Sequence, residues 1–461
     1  MTEEKQGFAY FKQVGIGALS GFVTLTLIIL GLSIGGGAVT PTSEPSQSTS
    51  ALPSATPTST SGVARTCSVK DLALVPELGT LQAVVMNADT DEVLFDRNGS
   101  APGATASSLK VLTAAAALTT LGANYRVSTS VYADPADPGT IVLVGAGDPT
   151  LSRTAPGQDS VYKGAPKLSD LATKVREYAT ANNITSIKKI VLDATLFTDP
   201  KWEPTWERSE QTEGYMSEVS ALQVDGDRKS PNKETSPRST TPVLNAGKYF
   251  KNAIGAIASG ARLVEAKAGT NLTLIHTVQS QPISTWIKHM LQVSDNTEAE
   301  FLARLTAIKL GYSGSFASID LAIKKSLQVT GLDSTGISIK DGSGLSDLNR
   351  VPPIYFARLM KLIMNQTADF NIIKEGLPIS GESGSLSDRF KGDNVDAAGH
   401  VFAKTGWIKH GYTLTGIIEA KDGTHLTFAV YALGNVSDSA KLAIDNLVTG
   451  FYRCGDTLSN E

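Results

Sequence analysis

Histidine and cysteine are scarce in this chain, five and two among 461 residues. The histidines are scattered without ligand spacing, which disfavours a metal enzyme, and no metal or other cofactor is expected. No Gly-x-Ser-x-Gly occurs, which disfavours a Ser-His-Asp hydrolase of the nucleophile-elbow kind. Neither sign of charge is in excess: 41 Lys and Arg face 45 Asp and Glu, and a net charge of −4 argues against a general nucleic-acid binder.

Charge is missing altogether between Lys12 and Glu44, and residues 14–39 are largely apolar or glycine. That is long enough to cross a bilayer. Lys5 and Lys12 precede it and the next basic residue is Arg65, so residues 1–13 are expected in the cytoplasm and the rest outside. An uncleaved single-pass anchor is the expectation, and a cleaved signal, giving a secreted protein, is the competitor. Residues 40–66 are rich in Ser, Thr, Pro and Ala and bury too little apolar surface to order themselves, so they read as a tether. Cys67 follows the tether and Cys454 stands near the other end, and in an oxidising compartment such a pair suggests a disulfide.

The length calls for at least two folded units. Leu81–Asn87 and Glu92–Asp96, separated by an Asp-rich turn, read as a hairpin, as do Tyr412–Ala420 and His425–Leu433 around Asp422-Gly423. Residues 126–276 differ in texture, with strands, a helix over Leu168–Asn182 and a polar stretch, Gln223–Thr241, expected to be a long surface loop; this section is read as an inserted module. The flanking parts, 67–125 and 277–461, form the main domain, closed by an amphipathic helix over Ser437–Arg453.

Three short patterns carry chemistry. Ser107-x-x-Lys110 opens a long apolar helix ended by Gly122, and a spacing of three puts the amine on the hydroxyl's face. A dry amine there takes the hydroxyl proton and makes Ser107 a nucleophile without histidine. A helix-capping serine with a solvated lysine is the plainer alternative, and Ser-x-x-Lys recurs at Ser160/Lys163 and Ser186/Lys189. Ser294-x-Asn296 projects a hydroxyl and an amide from a tight turn between helices, suited to a peptide bond or to capping. Lys404-Thr405-Gly406 occurs once, on a strand, where an ammonium and a hydroxyl hold a carboxylate or merely decorate a sheet edge.

In this order, with Gly145-Ala-Gly-Asp-Pro-Thr150, Asp341-Gly-Ser-Gly-Leu-Ser346 and Leu377-Pro-Ile-Ser-Gly381, the chain resembles the class C low-molecular-mass penicillin-binding proteins, the D-alanyl-D-alanine carboxypeptidase/endopeptidase group of peptidase family S13 type. The resemblance implies an α+β, penicillin-recognising serine transpeptidase/β-lactamase-like fold: an antiparallel sheet flanked by helices, an all-helical lobe and one inserted α/β domain. It implies that Ser107 is acylated by the penultimate D-Ala of a peptidoglycan stem peptide, or by a β-lactam. Lys110 would be the base, with its pKa lowered by burial and Lys404, and Ser294 would relay protons. Asn296 would hold the substrate amide, Lys404 and Thr405 its carboxylate, and the backbone N–H groups of Ser107 and Trp407 the oxyanion.

Two positions depart from the family. Trp407 follows Lys-Thr-Gly where Thr or Ser is usual, which removes a carboxylate-binding hydroxyl. Asp347 stands where the family has an arginine that meets an acidic group on the stem peptide, which suggests a side chain without a free carboxylate. Asp193 matches an insert motif expected to meet that side chain's amine. The rival readings are a β-lactamase or esterase on the same fold and a non-catalytic wall-sensing module.

Overall fold

A computed structural model of the protein describes residues 62–461. Segments 1–13 and 14–39 and most of the tether lie outside the described residues. Among the described residues no helix is long and apolar enough to cross a membrane.

Two five-stranded sheets organise the chain. The first is antiparallel and pairs β1 (Thr80–Asn87) with β2 (Val93–Arg97), and its later strands are β8 (Val401–Ile408), β9 (Gly411–Glu419) and β10 (His425–Leu433), in the order β2-β1-β10-β9-β8. Both expected hairpins are present. The Asp422-Gly423 turn closes with Ala420 N–H on the Thr424 carbonyl at 2.9 Å, and Gly423 takes φ +88°, which favours glycine. One face of this sheet packs on the helix Ser439–Cys454, through Leu447, Val448 and Phe451. The other meets the helical lobe, through Ile417, Ala429 and Tyr431.

The second sheet consists of β3 (Ser128–Ala133), β4 (Thr140–Val144), β5 (Lys189–Asp193), β6 (Arg262–Glu265) and β7 (Thr273–Gln279), in the order β6-β5-β4-β3-β7. The β4-β5 and β5-β6 pairs are parallel, and helices Leu168–Ala181 and Pro242–Ile254 cover this core. This α/β part interrupts the antiparallel sheet between β2 and β8, so the architecture is the α+β fold with an inserted α/β region.

The insertion does not stand clear of the rest. Phe197, Trp202, Trp206, Met216 and Val219 join the core built around the helix Lys110–Leu121. Gln223–Thr241 is the expected surface loop only in part: Lys229 and Asn232–Thr235 are exposed, but Val224, Asp225, Asp227, Arg228 and Arg238 are buried. Its polar composition conceals that burial because several of its charges find partners inside. Asp225 pairs with Arg153 at 2.7 Å, and Asp227 accepts the Ser239 N–H at 2.7 Å.

Cys67 and Cys454 form a disulfide with their Cα atoms 5.4 Å apart. Cys67 N–H also donates to the Thr457 carbonyl, and its own carbonyl accepts the Ser459 N–H. The two ends of the described fold are thereby joined at one place.

Candidate active site

Ser107 lies in a 3-10 turn, Ala106–Leu109, that runs directly into the helix Lys110–Leu121. Every residue from Lys110 to Leu118 is buried, and an alanine run lets the neighbouring helices Ile283–Val293, Asn296–Lys309 and Ile319–Leu327 approach closely. Ala106 takes φ +44°, a costly conformation for a residue with a Cβ. Its surroundings hold it there. Thr413 Oγ1 donates to the Thr105 carbonyl at 2.9 Å and meets Ser108 Oγ at 2.8 Å. Gly344, at φ +83°, presses so close that a Cβ on it would lie 1.9 Å from the Ala106 carbonyl oxygen.

Lys110 is wholly buried, and its Nζ has three partners: Ser107 Oγ at 2.9 Å, Asn296 Oδ1 at 2.7 Å and the Ser343 carbonyl at 2.7 Å. Two of the three only accept. A neutral amine with its two N–H bonds on Asn296 and Ser343 therefore turns its lone pair on the Ser107 hydroxyl. Burial pulls the Lys110 pKa down to about 8, against the pull of Asp341, Glu300, Asp295 and Glu210, which favour the ammonium. Burial is the chief cause that lowers Lys110. Lys404 is the one driven well below the ordinary lysine range, by burial and then by Lys110.

Ser294 terminates the helix Ile283–Val293 in the left-handed region, φ +62°, and Asp295 caps the next helix, Asn296–Lys309. The turn thus caps a helix and also points its side chains inward. Lys404 Nζ donates to Ser294 Oγ at 2.9 Å, and Asn296 Nδ2 donates to the Tyr215 carbonyl at 3.1 Å. The chain Ser107–Lys110–Asn296 and the pair Lys404–Ser294 meet at one place from three distant segments.

Strand β8 forms the sheet edge beside them. Val401 and Ala403 pack toward the C-terminal helix and Phe402 toward the helical lobe, so alternation turns Lys404 and Gly406 toward Ser107. A Cβ on Gly406 would lie 2.9 Å from Ser107 N, which explains the glycine. Ala403 N–H points off the edge to the Pro378 carbonyl, so the same period of two sends the N–H groups of Thr405 and Trp407 outward as well. Trp407 N–H thus points off the strand edge one residue beyond Gly406, which abuts Ser107 N. The Trp407 side chain is 52% exposed on the rim. No hydroxyl replaces it at that position, but Ser385 Oγ lies 2.7 Å from Thr405 Oγ1 and both line the cleft.

The cleft encloses about 980 Å³ and is lined by Ser107, Ser294, Asn296, Thr405, Gly406 and Trp407 among others. Asp347 is exposed on its rim. Asp193 does not reach it. That carboxylate is buried at the end of β5, where one oxygen accepts Thr195 N–H of its own turn at 2.9 Å and the other accepts Ala268 N–H, from the segment after β6, at 2.7 Å. Glu207, Glu210 and Glu213 supply the acidic side of the cleft instead. Burial, then Glu213 and Glu207, pushes Glu210 up to about 6. These acids, and the Ser343 and Tyr215 carbonyls, were not legible in the sequence. A backbone carbonyl has no residue signature, and the glycines around Ser343 were the only hint.

The profile of the D-Ala-D-Ala carboxypeptidase 3 (S13) family matches residues 66–237 and 227–453. A carboxypeptidase of Mycobacterium tuberculosis is 34% identical over 400 residues, covering 85% of this chain and 84% of that protein. Carboxypeptidase DacB of Mycolicibacterium smegmatis is 34% identical over 385 residues, 82% of each chain. Penicillin binding protein 4 of Haemophilus influenzae shares the fold at a TM-score of 0.70 and 20% identity, over 83% of this chain and 98% of that one. Its structure has also been solved with a β-lactam. The family profile spans the folded chain and both mycobacterial relatives align over most of their length: this chain belongs to the D-Ala-D-Ala carboxypeptidase (S13) family.

Proposed function

We propose that the protein is a serine D-Ala-D-Ala carboxypeptidase/endopeptidase acting on peptidoglycan stem peptides and acylated by β-lactams. The observation that carries this is the Lys110 amine, buried, 2.9 Å from Ser107 Oγ and hydrogen-bonded otherwise only to acceptors. Lys110 takes the Ser107 proton as Oγ bonds the penultimate D-Ala carbonyl, and the N–H groups of Ser107 and Trp407 receive the oxyanion. The bond to the terminal D-Ala breaks as Ser294, beside Lys404, relays to the leaving amine the proton that Lys110 took, so that Lys110 is again neutral and Ser294 keeps its hydroxyl. Water then cleaves the ester and Ser107 regains its proton. The carboxylate of the substrate meets Lys404 and Thr405. An incoming carboxylate restores the Lys404 proton that burial and Lys110 disfavour.

Mass spectrometry after benzylpenicillin treatment tests this directly. One adduct per chain is expected, mapped to Ser107 and absent from Ser107→Ala; an adduct on another serine, or none, defeats the proposal. Turnover of nitrocefin separates the β-lactamase reading, since a peptidase of this kind is acylated once and released slowly.

The preferred stem peptide carries a side chain without a free carboxylate, lysine-like or amidated diaminopimelate. Asp347 on the rim and Glu207, Glu210 and Glu213 in the cleft lining support an amine there. Hydrolysis of the two peptide types side by side checks it, and faster cleavage of free diaminopimelate would reverse the assignment. Residues 14–39 would hold the enzyme on the extracytoplasmic face of the cell membrane, and the Cys67–Cys454 disulfide fits that oxidising side.

A further inference from the structure

Asp295 stands between the two residues of the Ser294-x-Asn296 turn, and its carboxylate is turned to Arg228 and Tyr162 at the wall of the same cleft. It is fully buried and both oxygens are engaged. Oδ1 accepts the Glu298 N–H at 3.0 Å, capping the helix; Oδ2 accepts Arg228 Nη2 at 2.6 Å and the Tyr162 hydroxyl at 3.2 Å. Arg228 is equally buried, with 2% of its side chain exposed. Its Nη1 donates to the Tyr162 hydroxyl at 2.6 Å and its Nε to the Glu234 carbonyl at 3.2 Å, and its guanidinium lies 4.8 Å over the Tyr162 ring. The planar fork is held on several sides, which a lysine could not reproduce.

His289 and Glu298 complete the surroundings. With Asp295 they bring possible ligand atoms within 4.8 Å of one another, but Arg228 already occupies Asp295 Oδ2 and Glu298 is bonded to His289 Nδ1 at 2.7 Å. The cluster is a charge network, not a metal cradle.

Ser294 is in the left-handed region, so the turn needs an external hold. Its two cleft contacts, Ser294 to Lys404 and Asn296 to Lys110, flank Asp295 directly in sequence. A shift of Asp295 by a fraction of an ångström moves both. The hold comes from Arg228, in the stretch between β5 and β6, distant in sequence from all three catalytic motifs.

We propose that Arg228 is a positioning residue for acylation: its buried pair with Asp295 sets the Ser294–Asn296 turn against Lys110 and Lys404. This rests on the acylation of Ser107 proposed above. The test is the second-order rate constant and the stoichiometry of acylation by a fluorescent penicillin, measured on the full chain. Arg228→Gln is expected to react about 10- to 100-fold more slowly while still labelling one site per folded molecule. Adding Asp295→Asn lets the two side-chain amides bond each other where the ion pair stood, leaves no orphaned charge and keeps a capping side chain, and is expected to recover most of the rate. An unchanged rate in Arg228→Gln, or a slow rate that the double variant does not restore, overturns the proposal. If Arg228→Gln does not fold, Asp295→Asn, which breaks the same pair and keeps the cap, is read in its place: slower labelling at full stoichiometry supports the proposal and an unchanged rate overturns it. Failure of the wild type to be labelled would instead strike the acylation chemistry itself.

Discussion

At the scale of single residues the decisive fact is the state of one amine. Lys110 acts as a base only when neutral, and burial brings its pKa down to about 8. The base fraction therefore grows as pH rises through that value and shrinks below it. The acylation rate is expected to fall about tenfold per pH unit below 8 and to level off above it. Measuring the rate constant for a penicillin from pH 6 to 9 checks this, and a flat profile would remove Lys110 as the base. The Ser-x-x-Lys spacing was legible and proposed this chemistry, but the same spacing stands at Ser160/Lys163, where Ser160 bonds its own turn through Tyr162 N–H at 3.2 Å. Spacing proposes an encounter; only burial and a third partner make a base of it. Asp193 shows the converse. It matched a motif, and its hydrogen bonds to Thr195 and to Ala268, 75 residues on, occupy both carboxylate oxygens away from the cleft.

At the scale of elements, the loop Asp341–Ser346 is a splint for the Ser107 helix. Glu300 accepts the N–H groups of Gly342 and Ser343, Thr113 Oγ1 donates to the Gly342 carbonyl at 2.6 Å, and the Ser343 carbonyl receives Lys110. Asp341 accepts Gly344 N–H at 2.8 Å and Trp206 Nε1–H at 2.8 Å. Gly344→Ala places a Cβ against the Ala106 carbonyl at a positive φ, and a backbone atom cannot swing aside. The expected result is a destabilisation of about 1–3 kcal/mol or more from overpacking, read as a lowered melting midpoint, together with slower acylation because the Ser107 turn is displaced. Both hairpins, the Ser107 helix and the C-terminal helix were readable from periodicity and turn residues. The buried part of Gln223–Thr241 was not, because composition measures polarity and not whether polar groups have partners inside.

At the scale of the whole molecule, one covalent tie joins the two ends of a fold with an insertion in its middle. The Cys67–Cys454 bridge closes a separation of 387 residues, and removing a native disulfide typically costs about 2–5 kcal/mol. Cys67→Ser with Cys454→Ser is expected to lower the melting midpoint while leaving acylation at 25 °C at one site per chain, since the bridge lies at the C-terminal end of the helix Ser439–Cys454 and neither cysteine lines the cleft. A loss of labelling at that temperature would show that the tie also shapes the site.

The sequence alone determined which chemical groups stand at which boundaries: a serine opening a buried helix, a hydroxyl and an amide on a turn, an ammonium on an edge strand, and two cysteines at the ends. These depend on caps, turns and periodicities that act within a few residues. Tertiary structure alone decided that Lys110 is dry enough to aim a lone pair at Ser107, that Asp193 is turned away, and that Arg228 reaches Asp295. Each of these depends on burial or on a contact across a long stretch of chain, and such contacts form only when distant segments exclude water together.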